Sequence, residues 1–102
     1  MNKRIPTFTI REGASDLFET PVVEEDLFYE RLVSFIEKNL TSSYNEKILC
    51  YLEDDEGAFS EATLEPEGYL KSLNKSIEYY CEEERYEICT HIKKLIKTHE
   101  LQ

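Results

Sequence analysis

Three cysteines and two histidines are the side chains best suited to metal or nucleophilic chemistry here: Cys50, Cys81, Cys89, His91 and His99. A zinc site of the structural kind usually opens on a C-x-x-C pair, and the chain has none. On one helix Cys89 and His91 would point about 200° apart, because each residue turns about 100°. They cannot grip one ion that way, and Cys81 and Cys89 read instead as small core residues. Cys50 lies in a strand-like run with no histidine near it in sequence, so no nucleophile–base pair is evident. Glu87 and His91 are four apart and would pair on a helix surface.

The acidic run Asp54-Asp55-Glu56-Gly57 invites a calcium reading. An EF-hand loop needs an oxygen ligand at its first position and Glu at its twelfth, with Gly at the sixth. Placing Gly57 at the sixth puts Leu52 first and Thr63 twelfth, so both essential positions fail. A solvated turn is the better reading, because Asp and Gly favour turns. No glycine-rich phosphate loop and no serine in a strand–turn–helix elbow occurs. The sequence therefore predicts no catalytic residue, no metal ligand and no cofactor, and it shows no small-molecule substrate site.

Charge and aromatic content carry more. The 102 residues hold 22 Asp and Glu against 12 Lys and Arg, a net charge of −10. Direct binding to nucleic acid or to an anionic membrane needs cations at the contact, so both are disfavoured. The charge is uneven. Glu12 to Glu30 and Glu53 to Glu67 each hold seven acidic residues and no Lys or Arg, while the last turns carry Arg85, Lys93, Lys94 and Lys97. Tyr79 and Tyr80 are adjacent, as are Phe28 and Tyr29, so on a helix one member of each pair must turn outward. Outward aromatics are enriched at protein contacts.

The elements that must position these residues follow from period and punctuation. Ile5 to Arg11 alternates apolar residues with threonine and reads as a strand, with Pro6 marking an edge or a strand start. Gly13 to Glu19 reads as a turn. Thr20 as N-cap and Pro21 at the first helical position predict a helix to about Asn39, with Phe28, Leu32, Phe35, Ile36 and Leu40 on one face. Lys47 to Leu52 and Ala58 to Leu64 read as a hairpin around the acidic turn, although helix through much of this region is the alternative. Pro66 opens a helical unit carrying Leu70, Leu73, Ile77 and Cys81, then Tyr86, Cys89, Ile92, Leu95 and Ile96. Glu82 to Arg85 is either a turn between two helices or the middle of one. The expected architecture is one α+β domain over 1–102. A small antiparallel sheet (strand plus hairpin) and an N-terminal helix occupy 1–65, and a helical hairpin or long helix occupies 66–100. No run of 18 apolar residues predicts a membrane span, and no apolar run follows Lys3 and Arg4 as in a secretory signal. With an odd cysteine count, these features favour a cytoplasmic, reducing setting.

Residues 70–97 resemble the short UVR motif at the end of the excision-repair proteins UvrB and UvrC. Tyr86-Glu87 matches its Tyr-Glu pair, Cys89 and Thr90 its small positions, and Ile92 and Ile96 its apolar positions. Its Arg-Asp pair is Lys93-Lys94 here. The resemblance implies a helical hairpin that pairs with another hairpin, a protein contact and not a catalytic site. Nothing else in the chain resembles a repair protein.

Two functional expectations follow. One is a small interaction module or accessory subunit that docks on another protein, or on a second copy, through its C-terminal helices, with Tyr79, Tyr80, Tyr86, Ile92 and Ile96 as contacts. The alternative is an acidic inhibitor of a basic protein, a DNA mimic or immunity-type partner, using Asp54, Asp55 and Glu56. Small size and acidity suit such proteins of phages or mobile elements.

Overall fold

Apolar residues alternate with threonine early in the chain and recur at three- and four-residue steps afterwards, and the backbone follows both periods. The computed structural model describes residues 5–10, 22–43 and 46–101. The elements are β1 (Thr7–Thr9), α1 (Glu25–Thr41), β2 (Ile48–Glu53), β3 (Phe59–Thr63), a 3-10 turn over Pro66–Gly68, α2 (Tyr69–Glu82) and α3 (Tyr86–Thr98). The α+β class is the one expected from sequence, and of the two C-terminal alternatives the helical hairpin is the one formed.

Sheet order is β1-β2-β3. β2 and β3 form the antiparallel hairpin. β1 departs from expectation: it lies parallel to β2, with Thr7 opposite Tyr51 and Thr9 opposite Glu53. The sheet is mixed, not wholly antiparallel. The reason is α1, which supplies the crossover that a parallel pair requires. Pro6 stands just before β1, where its missing N–H costs nothing, and its carbonyl accepts the Tyr51 N–H at 2.9 Å.

Helix α1 begins later than Pro21. Ile10 and Val22 form an antiparallel bridge, and the Val23 N–H donates to the Thr9 carbonyl at 2.8 Å. With Val22 held in that bridge and Val23 and Glu24 in a turn, the helix starts at Glu25, and Glu25 and Asp26 sit in its first turn. Anions there suit the helix dipole. Arg11, the Gly13–Glu19 turn, Thr20 and Pro21 lie outside the described residues.

Within the Glu82–Arg85 stretch, Glu82 ends α2 and the chain turns over Glu83–Arg85, so the C-terminal unit holds two helices. Neither Gly nor Pro causes the break. Glu84 adopts φ 60, the left-handed conformation. The Arg85 N–H then donates to the Tyr80 carbonyl at 2.8 Å, and the Glu84 N–H to the Cys81 carbonyl at 3.0 Å. This pair of bonds is a Schellman motif with glutamate where glycine is usual. α3 ends the same way, with Glu100 at φ 52 and the Leu101 N–H on the Ile96 carbonyl at 3.1 Å.

One face of the sheet and the three helices share a core. Phe8, Leu52 and Cys50 from the strands meet Phe28, Leu32 and Ile36 of α1, Leu73 and Tyr80 of α2, and Cys89 and Ile92 of α3. The ladder slips between Ile48 and Cys50, so β2 carries one extra residue against β3. Such a bulge explains why the adjacent Leu49 and Cys50 are both buried. Among the described residues, no helix is long and apolar enough to cross a membrane.

Candidate partner-binding surface

The register of the sheet sorts its side chains by face. Phe8, Cys50 and Leu52 point to the core, so their neighbours in the pleat point the other way. Tyr51 pairs with Thr7 and Glu61, and Glu53 pairs with Thr9 and Phe59. These six residues therefore share the outer face, where Thr7, Phe59 and Glu61 are exposed and Thr9, Tyr51 and Glu53 half-buried. Phe59 is 64% exposed and stands beside Glu53. β3 is also an edge strand. The Asp54 N–H donates to the Ala58 carbonyl, and the Leu64 N–H to the Lys47 carbonyl. By antiparallel alternation, Phe59, Glu61 and Thr63 then direct their own N–H and C=O groups away from β2.

The adjoining turn divides into one structural and two exposed carboxylates. Asp54 Oδ1 accepts the N–H groups of Glu56 and Ala58, each at 2.9 Å, and shapes the turn. Gly57 completes it at φ 83. Asp55 and Glu56 are exposed. With Glu53 and Glu61 they make the hairpin acidic, Glu65 and Glu67 follow it, and the run from 53 to 67 contains no cation.

The C-terminal candidates are placed differently. Tyr80 is 3% exposed and Ile92 fully buried, so both belong to the core and not to a contact surface. Adjacent aromatics on a helix do split inward and outward, but the outward one is used. Tyr79 stacks on Tyr29 with ring centroids 4.4 Å apart, and its hydroxyl donates to Asp26. Partial burial, that hydrogen bond and nearby carboxylates push the Tyr79 phenol well up from its usual value. Burial, then Glu25, Glu78 and Glu82, push Tyr29 up as well. Ile96 is half-buried, leaving Tyr86, 60% exposed, as the open apolar residue of that set. The apolar stripe of α2 and α3 is turned inward.

Two arginines whose tertiary partners the sequence does not show brace α1, one against the sheet and one against the α2–α3 turn. Arg31 of α1 donates from Nε to the Leu49 carbonyl at 2.7 Å and from Nη2 to the Ile48 carbonyl at 3.3 Å. It thereby satisfies the strand backbone at the bulge, and its guanidinium also lies over Phe35. Arg85 pins the α2–α3 turn to α1 through Asp26 at 3.2 Å and covers the Tyr80 ring. Their signal in sequence is faint: each is a lone cation in an otherwise acidic stretch. His91 pairs with Glu37 of α1 at 3.0 Å, not with Glu87 of its own helix. A tertiary partner outcompetes the local one.

Burial pushes the Cys50 thiol up to about 11, although Arg31 pulls it partly back, so it stays protonated at neutral pH. Among the described residues no three of His, Cys, Asp and Glu gather to hold a metal ion. The arrangement offers hydrogen-bonding strand edge, negative charge and one exposed ring, which are the means of recognition. No family model matches the chain, and no curated protein or solved structure is similar to it.

Proposed function

We propose that this protein is an acidic binding module that captures a basic, extended segment of another protein along β3. The observation that carries the reading is one surface: an edge strand with outward backbone groups, the exposed Phe59, and a carboxylate-rich hairpin without a cation. A strand added to a sheet edge gains main-chain hydrogen bonds, and side-chain pockets and charges set its identity. Glu53, Glu61, Asp55 and Glu56 select Lys or Arg, and Phe59 selects an apolar residue among them. A second copy fits poorly, because an antiparallel pairing centred on β3 would set Glu61 against Glu61, and like charges directly opposite repel. Where the captured segment is the partner's working surface, binding amounts to inhibition. Docking through the C-terminal helices has less support, since Tyr80 and Ile92 are core residues. The odd number of cysteines fits a reducing compartment such as the cytoplasm.

The test is fluorescence anisotropy with a labelled peptide that alternates Lys and Val, run against its Glu-for-Lys counterpart. The Lys peptide should bind, and binding should weaken steeply with salt. Phe59→Ala and Glu61→Lys should each weaken it about tenfold, the scale of losing a central contact. Equal binding of both peptides, or no effect of either substitution, would refute the reading.

A further inference from the structure

Cys81 lies in the last turn of α2 and Cys89 in the first turns of α3, on the two sides of the Glu83–Arg85 turn. Their Sγ atoms are 2.9 Å apart, inside ordinary contact distance for two sulfurs. We propose that Cys81 and Cys89 are a dithiol that closes to an intrachain disulfide when the protein meets a low-molecular-weight disulfide such as oxidised glutathione. Three observations beyond the distance favour this pair. Cys81 is half-buried, whereas Cys89 is 4% exposed, so Cys81 is the more open of the two. That asymmetry separates an attacking thiol from a resolving one. The helices are already held antiparallel by the Schellman turn and by Arg85 on Asp26, so the sulfurs are brought together before any bond forms. Cys50 is fully buried in the sheet, away from attack.

The steps balance. The Cys81 thiol loses its proton to solvent, and its sulfur attacks one sulfur of the reagent. The reagent S–S bond breaks, and the departing sulfur takes the electron pair and a proton. Cys89 then loses its proton and attacks Cys81 Sγ, expelling the second reagent thiol. The two protein thiols are oxidised by two electrons, and one reagent disulfide is reduced to two thiols. The product clamps the α2–α3 turn covalently and no longer depends on Glu84 staying left-handed.

The experiment treats the full chain with oxidised glutathione, then counts thiols after denaturation and measures the intact mass. Two of the three thiols should disappear, the mass should fall by two hydrogens, and peptide mapping should join Cys81 to Cys89. The melting temperature should rise by roughly 10 °C over the reduced protein, the scale of a native cross-link in a domain of this size. Cys50→Ser should close as the wild type does, and Cys89→Ser should retain glutathione on Cys81. Retention of all three thiols, a lasting glutathione adduct on the wild type, a bridge to Cys50, or a covalent dimer would each overturn the proposal.

Discussion

Arg31 reaches the strand from the helix and donates to the two carbonyls at the bulge. Its side chain is only 18% exposed, and it meets two carbonyls and the Glu46 carboxylate at 3.7 Å. Hydrogen bonds from a charged donor to partly buried carbonyls are worth about 1.5–3 kcal/mol. Arg31→Met keeps an unbranched apolar side chain and removes both the donors and the guanidinium over Phe35. It should lower the urea-unfolding free energy by about 2 kcal/mol, with the slope unchanged. Tyr79 offers a second test. Burial and its bond to Asp26 raise its titration point in the folded state. A raised value means the folded protein keeps a proton that the unfolded chain loses. The stabilisation is complete below the unfolded value of about 10 and fades as pH climbs through the folded one. Absorbance titration should show late-ionising phenols, and Tyr79→Phe should remove one of them. Sequence made Phe28, Leu32 and Leu73 readable as core, because apolar residues at helical spacing have few other uses. It could not expose Arg31, whose role depends on a bulge eighteen residues away, or the buried Ser72 and Ser76. Serine there looks like surface until a helix is seen packed against it, with the Ser76 hydroxyl donating to the Ser72 carbonyl at 2.9 Å.

The turn between α2 and α3 shows how an element can end without the usual residue. A left-handed glutamate is strained relative to glycine, and the strain is offset by two capping bonds. Glu84→Gly should therefore raise stability by about 1 kcal/mol, and it also removes one of three adjacent carboxylates. Thermal melting checks this, and a lower melting temperature would contradict the capping account. The hairpin at Asp54–Gly57 was readable because its turn chemistry is local. The parallel placement of β1 was not, because pairing partners are chosen by the crossover through α1. The start of α1 departs from expectation for a related reason: Thr20-Pro21 is a good local start, but Val22 is held in a bridge to Ile10, and a turn at Val23 and Glu24 precedes the helix. Asn39 ties these pieces together. Its amide donates to the Glu46 carbonyl and the Tyr69 hydroxyl, joining α1, the approach to β2 and α2.

The molecule as a whole is polarised. The β2–β3 hairpin carries carboxylates without a cation, whereas α3 displays Lys93, Lys94 and Lys97 on its exposed surface. The imbalance was visible in the sequence; its location on an open sheet edge was not, since only the register sets Glu61, Glu53 and Phe59 on one face. A field of that sign steers cationic partners and accelerates their encounter at low salt. The apolar stripe of α2 and α3, which looked available for docking, is spent on the molecule's own core. Backbone amide NMR of the labelled protein, titrated with the Lys–Val peptide at low and high salt, tests the account most directly. Shifts and slowed exchange should concentrate on Phe59, Glu61 and Thr63, spread across the outer face to Glu53, and vanish at high salt. Shifts centred on Tyr86 and Ile96 of α3, or persisting at high salt, would contradict it.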